Sequence, residues 1–428
     1  MVSSIPLASS GIDRREVPFS LVLMVVALFF IWGGLTSLND VLMPKLKGLF
    51  SLNYTEAMLT QFAFFAAYFI VSLPAGALVA RVGYLKGIVI GLSVMALGCA
   101  LFIPASGSGV YATFLAALFV LAGGITILQV AANPLIANLG SAASSHSRLT
   151  LAQAFNSFGT FLFPLVGAPL ILGSINQIDP ATLSGAALQS FQTTESAVVG
   201  RAYIAIALVL ALVAAAFWLR RTELGDDRAE HTSLAGSFSL LRRPRLAFGV
   251  ASIFLYVGAE VSVGSLIVNY LMQHNVMGLD QKAAGLMIPY YWGGAMIGRF
   301  IGAFALRLLS PGKVLATVAV GAALLALTSA GLSGATAGWA LLAIGFTNAI
   351  MFPTIFSLGV EGLGDKTPQG SGLLCMAIVG GAIVPMVTGM IADATSLSTA
   401  LIVPAICYFC VACYGWFARN PATSASYL

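Results

Sequence analysis

The sequence predicts an all-α integral membrane protein of twelve transmembrane helices in two six-helix bundles, and three observations predict it. Of 428 residues, 59% are hydrophobic and only 8% are charged, against roughly a quarter charged in an ordinary soluble domain. Mean hydropathy is +0.96. Twelve long apolar segments can be drawn along the chain; at about 20 residues each they use about 240 residues and leave no room for a soluble domain. The basic residues are strongly asymmetric about those segments. This composition excludes a soluble globular protein, a disordered chain and a nucleic-acid binder. The net charge of +5 reports loop placement, not affinity for polyanions.

The segments run at 18–44, 56–80, 86–105, 109–139, 149–173 and 199–219, then 245–272, 283–306, 313–332, 335–360, 370–393 and 397–417. Residues 1–17 are polar, and the first apolar stretch is too long for the h-region of a cleavable signal, so the first span is expected to stay. Glycine and proline recur inside the spans, as in membrane helices that pack closely on small residues and bend where a pathway opens. With the N-terminus in the cytoplasm, only Lys45, Lys47, Arg201 and Lys282 of the 20 Lys and Arg fall on the opposite side, a strong positive-inside signal. An even number of spans then puts both termini in the cytoplasm. Between spans six and seven lies the longest charged connection, RRTELGDDRAEHTSLAGSFSLLRRPR (220–245). The expected organisation is therefore a cytoplasmic tail (1–17), an N-terminal bundle (18–220), a cytoplasmic linker (221–244), a C-terminal bundle (245–419) and a second tail (420–428). The halves share local sequence: PLIANLG (134–140) ends span four and PTIFSLG (353–359) ends span ten, while Trp218 and Arg220 close span six as Trp416 and Arg419 close span twelve. Parallel repeats about a midplane site describe a secondary transporter.

The five cysteines, Cys99, Cys375, Cys407, Cys410 and Cys413, all fall in apolar stretches and read as small apolar filler. His146, His231 and His274 sit near helix ends or in loops, so no metal cluster assembles. No nucleophile–His–acid set or phosphate loop points to an enzyme.

Of the fifteen acids, only Asp40 and Glu260 fall within spans. A charged Asp at a helix centre costs about 2.5–3.5 kcal/mol on insertion scales, so such groups face a cavity or a partner. Asp40 reads as a cavity-facing acid or as an interfacial acid paired with Lys45 or Lys47; Glu260 reads as a cavity-facing acid or a buried hydrogen-bonding brace. Thr36, Asn39 and Asp40 share a helix face. Thr126, Gln129 and Asn133 line span four, and Gln153, Asn156, Ser157 and Thr160 form a stripe on span five. Any one stripe could be helix–helix glue; three together suit a central cavity. The other half offers Tyr256, Glu260, Ser265 and Asn269 on span seven, Tyr290, Tyr291 and Trp292 on span eight, and Asn348, Phe352 and Phe356 on span ten. An amide-rich wall facing an aromatic one suits a sugar, whose hydroxyls meet amides and whose C–H face meets rings.

After span two, Gly76, Arg81, Gly83 and Lys86 lie in GALVARVGYLK, which resembles the loop 2–3 signature of the major facilitator superfamily, with Ala80 in place of the usual Asp and Tyr84 at a basic position. Arg299, in GRFIG (298–302), is expected at the corresponding place at the end of span eight. The blocks LFFIWGGLTSLNDVLMPKL (28–46), LQVAANPLIANLG (128–140), RLTLAQAFNSFGT (148–160), YVGAEVSVGS (256–265), IGRF (297–300) and PTIFSLGVEGLG (353–364) resemble the fucose permease branch of that superfamily, symporters of fucose, glucose and galactose. The resemblance implies a major facilitator fold and uptake of a monosaccharide by cation symport through alternating access. A proton is the expected ion, with sodium near Asp40 as the alternative, and an efflux-type facilitator on the same fold is a further alternative. It implies Asp40 as the coupling acid beside Asn39, with Glu260 as a second candidate, and Gln153 and Asn156 facing the sugar. Asn39, Thr36, Gln129, Asn133, Tyr291, Trp292 and Asn348 complete the expected substrate set. The chain departs from fucose permease at Gln129, where that protein has a second acid, and at Glu260, where it has an amide. Expected besides are no cofactor, no resident metal, no nucleic-acid partner, a lipid environment in a bacterial inner membrane, and a monomer.

Overall fold

The computed structural model describes residues 18–50, 52, 54–172, 184–224 and 234–420. Its first six long helices are α1 (Phe19–Leu49), α2 (Tyr54–Val82), α3 (Tyr84–Ser108), α4 (Tyr111–Asn138), α5 (Ser145–Leu172) and α6 (Gly185–Leu219). A short α7 (Leu234–Ser239) follows within the expected linker. The second set comprises α8 (Pro244–Met272), the single turn α9 (Gln281–Gly285), α10 (Ile288–Leu308) and α11 (Pro311–Gly331). Three spans are then built from paired pieces: α12 (Gly334–Asn348) with α13 (Met351–Val360), α14 (Thr367–Met376) with α15 (Gly380–Ala394), and α16 (Leu397–Ala400) with α17 (Ile402–Phe417). The fold is an all-α membrane protein of two six-helix bundles. The expected tails at 1–17 and 421–428, and linker residues 225–233, lie outside the described residues.

Local chemistry sets the ends. Gly83 alone separates α2 from α3, and its φ of 88° is a conformation only glycine adopts cheaply. Proline sits in the first turn of α8, α10, α11 and α14, where its missing N–H costs nothing. Asp280 caps α9, accepting from the Ala283 N–H at 2.8 Å.

Among the described residues, ten helices are long and apolar enough to cross a membrane. The two remaining spans, α5 and α10, are the ones that carry polar residues along their length: Arg148, Gln153, Asn156 and Ser157 on α5, Arg299 and Arg307 on α10. They pack on each other between the halves, so Gln153, Asn156, Ser157 and Arg299 face protein while Leu212, Leu219, Phe304 and Met386 are left exposed on the outer surface, as a lipid-facing belt requires.

Several expected boundaries move. Span six starts at Gly185 rather than 199, because the polar stretch 185–198 continues the helix beyond the apolar run. Span ten is interrupted at Ala349–Ile350, where Pro353 has no N–H to give the Ala349 carbonyl. Span eleven is interrupted by a tight turn at Ala377–Val379.

Candidate functional site

The halves close on each other at one end, the end to which α2, α4 and α6 run and from which the mid-chain linker leaves. There the α2 and α14 backbones meet: a Cβ at Gly76 would lie 2.8 Å from the Pro368 carbonyl, and one at Gly372 would lie 2.7 Å from that of Ser72. Beside them, α5 is stitched to the second half. Ser147 donates to the Ala303 carbonyl at 2.5 Å and accepts from Arg307 at 3.2 Å, and His146 Nδ1 lies 2.6 Å from Ser357 Oγ. Burial, with Arg245 and Arg148 nearby, pushes the His146 imidazole down to about 4. Arginines also close two helix ends. Arg148 donates to the carbonyls of Ile136 and Ala137 at the end of α4. Arg245 reaches the Leu358 carbonyl of α13 and pairs with Glu361 at 2.5 Å. Of the loop-motif residues, Gly83 makes the α2–α3 turn, Arg81 is exposed and Lys86 is half-buried.

Mid-span, the first half holds an amide cluster. Glycines bring α1 and α5 close: a Cβ at Gly33 would strike the Asn156 carbonyl and one at Gly159 that of Phe30. Across this seam Asn156 Nδ2 donates to the Phe29 carbonyl at 3.0 Å and Thr160 to that of Gly33 at 3.2 Å. Asn156 thus commits its amide nitrogen to the helix seam. Thr36 bonds its own helix, to Trp32 O at 3.0 Å. Gln153 Nε2 donates to Asn133 Oδ1 at 3.3 Å. Gln129 Oε1 and Asn133 Nδ2 are buried with no hydrogen-bond partner among the described residues. One buried acceptor and one buried donor left over, each costing about 1–3 kcal/mol unpaired, are what a polyhydroxylated ligand satisfies. The side chains of Asn39 and Asp40 lie outside the described residues; their backbone belongs to α1, the helix that packs on α5.

The second half holds a different network. Tyr256 donates to Glu260 Oε1 at 2.7 Å, and its hydroxyl lies 3.2 Å from the Asn348 carbonyl. Asn348 Nδ2 donates to Tyr291 at 2.8 Å and Tyr408 at 3.0 Å, leaving Asn348 Oδ1 buried and unpartnered among the described residues. Tyr256, Tyr291, Asn348 and Tyr408 are fully buried, while Glu260 keeps some accessible surface. Trp292 is 39% exposed and meets Tyr291 edge-to-face.

Arg299 is a correction to the sequence reading. It does not end a span: α10 runs on to Leu308, and Arg299 sits near its middle. Its Nε donates to the Ala349 carbonyl at 3.0 Å, the acceptor freed by Pro353, and its Nη1 donates to Ser157 Oγ of α5. Ser157 is one turn from Gln153, so Arg299 ties the two polar networks together across the halves. Tyr408 was missed because a tyrosine in an apolar span carries no periodic signal, and the inter-half role of His146 because its partner is 211 positions away.

The profile of the Major Facilitator Superfamily matches residues 19–378. The chain is 48% identical over 410 residues to a glucose/galactose transporter of Brucella abortus, covering 96% of each. It is 36% identical over 420 residues to the L-fucose-proton symporter of Escherichia coli, covering 95% of this chain and 94% of that one. A crystal structure of the transporter FucP in the outward conformation superposes with a TM-score of 0.86 at 34% identity, covering 95% of this chain and all of the other.

Proposed function

The chain belongs to the Major Facilitator Superfamily, and from that premise we propose that it imports a monosaccharide of the glucose, galactose or fucose class by cation symport. The proton is the proposed ion, and a bacterial inner membrane the proposed setting, with the linker and both termini on the cytoplasmic side. The observation that carries this reading is the amide cluster on α4 and α5, where Gln129 Oε1 and Asn133 Nδ2 are buried with no partner among the described residues. A hydrocarbon-like substrate would leave both unpaired; a sugar hydroxyl donates to one and accepts from the other. The Asn348 Oδ1 acceptor and the rings of Tyr291 and Trp292 offer the opposing wall.

Asp40 is the proposed coupling acid. It lies on the helix that packs on the amide-bearing α5, and protonation there removes a charge that a closed cavity cannot solvate. Glu260 is the second acid. The halves, proposed at 18–220 and 245–419, rock about this mid-span site, and the form described here is shut at the linker end, which leaves the opposite end as the one for substrate entry.

Purified protein in liposomes tests this with a panel of monosaccharides under an imposed proton or sodium gradient. Accumulation of a hexose driven by a proton gradient supports the reading. Sodium-driven accumulation replaces the ion; absence of uptake and counterflow for every sugar overturns the function.

A further inference from the structure

We infer that Arg299 is a positioning residue that changes partner as the halves rock, from Ser157 when the linker end is shut to the Glu260 carboxylate when it opens, and thereby releases the Glu260 proton on the linker side. This rests on the symport reading above and supplies its step of proton release.

Three observations place the groups. The break in span ten presents two successive carbonyls: that of Asn348 lies 3.2 Å from the hydroxyl of Tyr256, which holds Glu260, and that of Ala349 accepts from Arg299 Nε at 3.0 Å. Arg299 and Glu260 are thus held by neighbouring peptide units of one rigid segment within one half. The remaining end of the guanidinium, Nη1, is donated across the divide to Ser157, the only one of these contacts that crosses between halves. Separation of α5 from α10 must break it.

A guanidinium N–H stripped of its acceptor inside a membrane protein finds another. Of the described groups facing Glu260, which are Tyr256 on its own helix, Tyr291 and Arg299 on α10 and Tyr408 on α17, Arg299 is the single cation. A carboxylate accepts an Arg fork in bidentate fashion and far more strongly than a serine hydroxyl does. With the linker end shut, the guanidinium is committed to Ala349 and Ser157, and Glu260 can hold a proton taken from the far side. With it open, the fork turns to Glu260; the O–H bond breaks, the electron pair stays on the carboxylate, and the proton leaves to water entering from the linker side. The order gives net inward movement of the Glu260 proton in each cycle.

The test uses the full-length protein in liposomes and the monosaccharide that the wild-type protein accumulates. Arg299→Gln keeps the hydrogen bond to Ala349 but not the charge. It is expected to sustain counterflow, which needs no net proton release, while gradient-driven uptake at neutral linker-side pH falls by about tenfold or more, since an opposite charge within a few ångströms changes a carboxyl's ionisation ratio by about 10 to 1,000. Raising the linker-side pH is expected to restore uptake, which a purely structural defect would not do. Ser157→Ala frees Arg299 early and is expected to demand about tenfold more protons on the far side for half-maximal uptake; this variant decides the matter if Arg299→Gln does not fold. Normal coupling in Arg299→Gln, a loss that linker-side pH does not move, or an unshifted proton requirement in Ser157→Ala overturns the inference. Failure of the wild-type protein to accumulate any sugar overturns the function instead.

Discussion

Overfilling the seam between α2 and α14 should open the linker end. A Cβ at Gly76 would lie 2.8 Å from the Pro368 carbonyl oxygen and 3.3 Å from Gln369 Cα, so the backbones must part by a few tenths of an ångström. Overpacking of this kind costs about 1–3 kcal/mol. The two backbones belong to different halves, so the strain exists only while the linker end is shut, and Gly76→Ala should shift the shut–open equilibrium toward open by about 5- to 150-fold. Cys375 reports it. The thiol is fully buried on α14 one turn from Gly372, whose own Cβ would press the Ser72 carbonyl of α2 at 2.7 Å. In a background with the other four cysteines replaced, its alkylation rate by a maleimide should rise with the open population. Gly91→Ala is the control: its Cβ would meet Leu128 N at 2.8 Å, but α3 and α4 share a half, so both states bear the strain equally. That variant should lower thermal stability without exposing Cys375. If Gly76→Ala alkylates at the wild-type rate, or Gly91→Ala exposes Cys375 equally, the two-state account of this seam is wrong.

Other outcomes follow from the same contacts. Asp40→Asn is expected to abolish gradient-driven accumulation in liposomes; full-strength accumulation would remove Asp40 from coupling. Gln153→Leu orphans Asn133 Oδ1 and is expected to weaken sugar binding by about 5- to 150-fold, corresponding to about 1–3 kcal/mol, read by calorimetry. The His146 imidazole, held near 4 in the shut form by burial and by Arg245 and Arg148, returns to about 6.5 once hydrated. The shut form therefore keeps its stability above about 6.5 and loses it as the pH falls toward 4. At pH 5 the open form should gain about twentyfold relative to neutral pH, seen as a longer spin-label distance across the linker end and absent in His146→Gln.

Much of this protein was legible in its sequence because the bilayer enforces so simple a rule. Backbone polar groups must be satisfied within each span, so apolar runs of about 20 residues mark helices almost regardless of their neighbours. Rare acids likewise mark themselves: Glu260 stood out by being charged in an apolar span and proved to sit in a five-residue polar network. Where the reading went astray, hydropathy had nothing to say. Residues 185–198 are polar yet helical, and Arg299 was expected at the end of span eight because a motif correspondence, blind to its surroundings, set the expectation.

The sequence by itself determined that the chain spans a membrane as two sets of six helices, which of its faces are polar, and which acids are out of place. Only the tertiary structure decided which amides are spent on helix seams, as Asn156 is, and which remain unpaired, as at Gln129 and Asn133. It also decided that Arg299 bridges the halves through Ser157. The physical reason is that periodicity fixes the direction of a side chain about its own axis, whereas a hydrogen-bond partner is chosen by which other helix arrives opposite, and that depends on packing over separations of more than a hundred residues.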